Sequence, residues 1–288
     1  MTGMNPREYL GLAYRVSRPR FWFYLLGPYT VGCIWGADRY LGLLKPWFFV
    51  YFFFFMFPAN VLLYGVNDLW DHETDEMNPK KEGKEHRVKL GERETLRRLV
   101  WAAVGLGLLL TVFQKSVMER LIFLGFIFLS YYYSAGPIRF KQRPLLDSAS
   151  NILYALPGVF SYYLASGTLP PTPVLAAAFM HTFSMHLFSA IPDIAYDTDT
   201  WIRTTAVVLG RRASLALCLV LWSGLAALTL QLGSGNPLSL LPLTYPLIAA
   251  ELLVLDKAVD SVYWFYPYIN VIFGCLLFLS KAVVTPWG

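Results

Sequence analysis

Apolar residues run along this chain in long, nearly unbroken stretches, each close to the roughly 20 residues that cross a bilayer as a helix. They occupy 21–40, 46–68, 96–114, 118–134, 148–167, 172–192, 212–232, 236–255 and 262–284, which predicts an all-α membrane protein of about nine transmembrane helices. Two of these are weak. The stretch 118–134 is short, and 236–255 carries Pro237, Pro242, Pro246 and Glu251. The long polar segment between spans, Trp70 to Arg98, has mixed charge and is expected to cap one face, so residues 1–288 are read as a single integral-membrane domain. The first run begins at Phe21 behind Arg7, Arg15, Arg18 and Arg20 without a small-residue cleavage site, the mark of a first span rather than a removable signal.

Composition agrees with this pattern. The chain of 288 residues is 56% hydrophobic and 17% aromatic, with a mean hydropathy of +0.46. Only 15% of residues are charged, against about 25% in an ordinary soluble domain. Cys33, Cys218 and Cys275 stand singly inside apolar runs, with no spacing that suggests zinc, a redox pair or a disulfide. The net charge of +5 falls in the gaps between spans, which points to a membrane-orientation bias and not to nucleic-acid binding. With nine spans, 19 of the 24 Lys and Arg residues lie on the side of the N-terminus and 5 on the other. The positive-inside rule puts the first side in the cytoplasm, in a multi-pass protein expected in the cell membrane.

The chemistry concentrates on that side. The second span ends in Asn67-Asp68-Leu69-Trp70-Asp71-His72-Glu73-Thr74-Asp75. At 100° per residue, Asn67, Asp68, Asp71 and Asp75 share about one quarter of a helical surface. Three carboxylates so close repel one another unless cations neutralise them, and a divalent metal is the natural guest. After the sixth span, Asp193 and Asp197 stand four apart and stack on one face, while Asp199 falls off it. One acidic helix end is commonly a solvated cap. Two on one membrane side, each at helical spacing, point to a shared site in which Mg²⁺ bridges carboxylates to an anion such as a diphosphate.

Arg18, Arg139, Lys141 and Arg203 are placed to close on phosphate oxygens. Gly136-Pro137 should stop the fourth span and fold Arg139 and Lys141 back over the membrane surface, with the Tyr133 hydroxyl nearby. His181 and His186 are five apart, about 140° around a helix, which suits packing or interhelical hydrogen bonds better than a shared metal. The aromatic excess suits either a lipid-facing belt or a cavity that stabilises a carbocation through ring faces.

Asn67-Asp68-x-x-Asp71-x-x-x-Asp75 resembles the first signature of the UbiA superfamily of intramembrane prenyltransferases, and Asp193-x-x-x-Asp197 followed by Ile202 to Gly210 resembles the second. Arg18-Pro19 and the segment from Tyr133-Ser134 to Asp147 and Asn151 are also similar to that family, so the likeness spans roughly residues 18–212. It departs at Trp201, where the family usually has Gly. The resemblance implies helices around a central cavity open to lipid, and Mg²⁺ ions that bind a polyprenyl diphosphate donor. It makes Asn67, Asp68, Asp71, Asp75, Asp193 and Asp197 the metal and diphosphate residues, with Asp71, Asp193 and Tyr133 closest to the chemistry. Arg18, Tyr133, Arg139, Lys141 and Arg203 become further diphosphate contacts. The runs Asn67–Lys81 and Arg143–Asn151 look most like the carotenoid-prenylating members called lycopene elongases.

The expected reaction is transfer of a prenyl group to a hydrophobic acceptor within membrane lipid. A carotenoid such as lycopene comes first, and an aromatic quinone precursor of the 4-hydroxybenzoate or dihydroxynaphthoate type second. A cation-coupled transporter is the rival from another class, but its acids should lie near the bilayer midplane and not at span ends.

Overall fold

The computed structural model describes residues 5–71, 89–233 and 235–287. Of the described residues 80% are helical and none lies in a strand. In order, the helices are α1 Pro6–Val16, α2 Phe23–Gly36, α3 Pro46–Met56, α4 Pro58–Trp70, α5 Arg93–Val112, α6 Val117–Tyr132, α7 Leu156–Ser166, α8 Thr172–Ala190, α9 Ile194–Asp199, α10 Thr205–Leu232, α11 Thr244–Val254 and α12 Tyr266–Ala282. Five helical units among the described residues are long and apolar enough to cross a membrane: Pro46–Trp70, Arg93–Val112, Thr172–Asp199, Thr205–Leu232 and Pro237–Val254. The remaining predicted spans fall on the shorter helices α2, α6, α7 and α12.

Proline explains the interruptions. Pro58 has no N–H to donate and crowds the preceding turn, so Phe57 leaves helical geometry at φ −123°. The Asn60 amide donates to the carbonyls of Phe55 and Met56, each at 2.9 Å, and satisfies backbone that the break exposes. The stretch 148–167, expected as one helix, is instead a single turn Leu146–Ala149, a 3₁₀ segment Ser150–Tyr154 and α7, which restarts with Pro157 in its first turn. The span expected at 212–232 begins at Thr205, where Thr204 caps the Val207 N–H at 3.3 Å, and it bends at Gly210. Gly210 has φ 73° and ψ 170°, a conformation in which side chains are strained.

Close crossings hold the bundle together. A Cβ on Gly32 would lie 2.1 Å from the Gly158 carbonyl, and one on Gly36 2.5 Å from that of Tyr162, so the Gly32-x-x-x-Gly36 face lets α2 and α7 touch backbone to backbone. The Ser161 hydroxyl donates across that contact to the Tyr29 carbonyl at 2.7 Å. Two aromatic cores form. One joins Tyr51, Phe54, Phe55, Phe123 and Phe160, with the Tyr51 and Phe160 rings 4.7 Å apart. The other groups Trp222, Tyr245 and Tyr266 in a triangle, with ring centres 5.5–5.6 Å apart. Helix α12 lies against α2, where Trp35 Nε1 donates to the Leu277 carbonyl at 3.2 Å, so the last helix returns to the first. Large apolar side chains such as Phe53, Leu109, Val112 and Leu247 face outward, as a lipid-exposed surface requires.

Candidate active site

Helix α4 ends at Trp70, and Asp71 is its C-cap, bonded from its backbone N–H to the Asn67 carbonyl at 3.0 Å. Asp68 and Asp71 are therefore a carboxylate pair at the mouth of an apolar helix, both buried. Asp75 lies outside the described residues. Burying two carboxylates costs several kcal/mol each unless partners neutralise them, and three cations do so here. Arg18 Nη2 donates to Asp68 Oδ1 at 2.6 Å, Arg139 Nη2 donates to Asp71 Oδ1 at 2.9 Å, and Lys141 Nζ pairs with Asp71 Oδ2.

Local backbone aims these cations. Arg18 and Arg139 both occupy the left-handed region, at φ 50° and 47°, each just before a 3₁₀ turn. Non-glycine residues there cost about 1–3 kcal/mol and persist where surrounding structure imposes them, commonly at functional sites. As expected from Gly136-Pro137, α6 stops, and the loop doubles back: the Lys141 N–H donates to the Tyr133 carbonyl at 3.0 Å and that of Arg139 to Ala135 at 2.9 Å. Burial pulls the Lys141 ammonium down to about 7, opposed by the charges of Asp68 and Asp197, while Arg18 lowers it further. Lys141 thus lies within the field of both acidic motifs.

Around Arg18 stand aromatic rings from four elements. Its guanidinium sits 4.8 Å from the Tyr64 ring centre. Phe21 lies 5.8 Å from Tyr64, and Tyr24 lies 6.0 Å from Tyr154. The Asn67 amide donates to Ser134 Oγ at 3.2 Å.

The second motif is arranged differently. Asp193 ends a 3₁₀ turn and Asp197 lies in α9, both half-buried, with the Thr204 hydroxyl 3.5 Å from Asp197 Oδ2. Helix α9 closes with a Schellman motif: Ile202 N–H bonds the Asp197 carbonyl at 2.8 Å and Trp201 N–H that of Thr198 at 3.2 Å. Trp201 takes the left-handed position of that motif, φ 59°, and is 92% exposed. A Gly at this place would need no strain, whereas Trp holds the same left-handed conformation at a cost. Arg203 is exposed and has no ion pair among the described residues; it is not gathered with Arg18, Arg139 and Lys141.

One group near this site was not marked by spacing. Asp147, fully buried, accepts the Thr205 backbone N–H at 2.7 Å and the Thr205 hydroxyl. His186 Nε2 lies 3.9 Å from it, and His186 Nδ1 is 3.4 Å from the Tyr133 hydroxyl. The available signal was chemical: a lone Asp at the head of an apolar stretch must find a partner when the chain folds.

The donors suit a hard cation. Asn and Asp supply oxygen only, and Mg²⁺ is usually held by one or two carboxylates with waters and substrate phosphates completing its shell. Among the described residues no three His, Cys, Asp or Glu side chains gather into a ready metal cage. A pair at Asp68 and Asp71 and a pair at Asp193 and Asp197 match a metal whose remaining ligands arrive with the substrate.

Comparison with known proteins agrees with this architecture. The model of the UbiA prenyltransferase family matches residues 25–279. A lycopene elongase/hydratase of Haloferax volcanii is 42% identical over 274 residues, covering 92% of this chain and 86% of the relative. One from Haloarcula japonica is 38% identical over 291 residues, covering 100% of this chain and 97% of the relative. The solved structure of a UbiA homolog from Archaeoglobus fulgidus bound to GPP and Mg²⁺ superimposes with a TM-score of 0.67 at 20% identity, covering 96% of this chain and 100% of that one, which establishes a shared fold. An integral membrane enzyme, this chain belongs to the UbiA prenyltransferase family.

Proposed function

We propose that the protein transfers the prenyl group of an allylic diphosphate to a polyene of the lycopene class, with Mg²⁺ as cofactor. The observation that carries this reading is the meeting of Arg18, Arg139 and Lys141 with Asp68 and Asp71 at the end of an apolar bundle. The acceptor class rests on the names of relatives 38–42% identical over nearly the whole chain.

Bound Mg²⁺ would neutralise diphosphate oxygens and so make a poor leaving group a good one. Asn67, Asp68, Asp71 and Asp75 of the first motif and Asp193 and Asp197 of the second are the residues that would hold it. Arg18, Arg139 and Lys141, beside the same carboxylates, would bind the phosphate oxygens where negative charge grows. The faces of Tyr24, Tyr64 and Tyr154 stabilise the allylic cation left when the C–O bond breaks. The apolar bundle keeps out the water that would otherwise trap it. Arg203, exposed on the loop after the second motif, makes an outer contact with the donor. The excess of Lys and Arg in the loops bearing both motifs supports a cytoplasmic site, in a multi-pass protein of the cell membrane.

The test is a donor-by-acceptor screen. Membranes carrying the protein, supplied with Mg²⁺ and dimethylallyl diphosphate, should lengthen lycopene by one or two five-carbon units. Prenylation of 4-hydroxybenzoate or dihydroxynaphthoate with lycopene untouched would transfer the assignment to an aromatic acceptor. No product with any acceptor would sink the reading.

A further inference from the structure

We infer that Tyr133, His186 and Asp147 form a proton relay that quenches the cation formed when the acceptor is prenylated. The inference rests on the prenyl-transfer reading and supplies what that reading lacks, a group to take up the proton.

Three observations point to it. Asp147 is fully buried, yet no Lys or Arg pairs with it among the described residues; its hydrogen-bond donors are the neutral Thr205 backbone N–H at 2.7 Å and the Thr205 hydroxyl. A carboxylate buried this way is costly unless positive charge can form beside it. The titratable side chain beside it is His186, whose Nε2 lies 3.9 Å from Asp147 Oδ2 and has no hydrogen-bond partner among the described residues. The other ring nitrogen, Nδ1, lies 3.4 Å from the Tyr133 hydroxyl, with the two rings edge to face at 6.0 Å. A phenol, an imidazole and a carboxylate therefore stand in line. The Tyr133 carbonyl accepts the Lys141 N–H at 3.0 Å, which ties the phenol end of the line to the loop that carries two of the proposed phosphate-binding cations.

The step balances as follows. The allylic C–O bond breaks, and diphosphate leaves with its electron pair. The π electrons of the acceptor alkene make the new C–C bond and leave a tertiary cation. A proton from the carbon next to that cation, or from a water that has added to it, passes to the Tyr133 oxygen. The Tyr133 hydroxyl proton moves at the same time to His186 Nδ1. The imidazolium so formed faces Asp147, whose charge holds it until the proton leaves. His186 and Asp147 act through Tyr133 and are positioning residues in the relay.

The test compares wild type with His186→Ala, His186→Gln and Asp147→Asn in the same membranes, reading donor binding, product formation and rescue by added imidazole. General-base assistance contributes about 10²–10⁴-fold, so both His186 variants should bind donor as wild type does and form product about 100-fold more slowly. Imidazole should restore His186→Ala but not Asp147→Asn. A merely structural histidine would show no such rescue. Product formation by either folded His186 variant within about threefold of wild type overturns the relay, as does a loss that imidazole leaves untouched in His186→Ala while His186→Gln stays active. Wild type that forms no product with any acceptor overturns the prenyl-transfer reading, and the relay with it; wild type that forms product beside equally active variants overturns the relay alone.

Discussion

The two acidic motifs look alike in sequence and differ in the folded protein. Asp68 and Asp71 are buried and already held by Arg18, Arg139 and Lys141. Asp193 and Asp197 are half-buried on a short helix that ends at an exposed tryptophan. The first motif is thus neutralised within the fold by cations from two other segments. The second lies on a more exposed element. Similar spacing yields different roles because burial decides how much neutralisation each carboxylate needs.

The largest effects should come from the motifs themselves. Asp71→Ala and Asp193→Ala should each lower turnover by at least about 100-fold, the scale of losing a group that stabilises developing charge, measured as product per inserted protein. Equal losses would make the motifs halves of one site, and near-normal activity in either would separate them.

Cations should come next and should divide along the same line. Arg18→Leu and Lys141→Met each remove a charged hydrogen bond worth about 1.5–3 kcal/mol, so donor KM should rise about 10- to 150-fold. Arg203→Ala, on the open side, should change it by no more than about fivefold, as exposed charges do. An Arg203 effect as large as that of Arg18 would show that the second loop closes over the donor more fully than its exposed resting position implies.

The smallest effect concerns the loop alone. Trp201→Gly relieves a left-handed residue that costs about 1 kcal/mol, and should raise the thermal midpoint in detergent slightly while leaving product formation within about twofold. A lower midpoint would mean that the exposed indole contributes by docking on the membrane surface.

Much of this was legible in one dimension. Apolar runs marked the helices because a bilayer requires about 20 such residues, and the spacing of Asp68 from Asp71 and of Asp193 from Asp197 marked the acidic faces. Two boundaries were missed for local reasons: Pro157 broke the stretch 148–167, and Thr204 capped α10 earlier than hydropathy suggested. The crossing at Gly32 and Gly36 emerged only from the fold, through the 2.1 Å approach to the Gly158 carbonyl.

What the sequence by itself determined is whatever repeats over short range: helices and the acidic residues at helix ends. Tertiary structure alone decided the partners. Arg18 meets Asp68 across 50 residues, and Arg139 and Lys141 meet Asp71 across 68 and 70. His186 finds Tyr133 and Asp147 in the same way. Periodicity tells which face of a helix a side chain occupies, but which faces meet depends on helix crossings, on Pro and Gly breaks, and on backbone turned left-handed at Arg18 and Arg139.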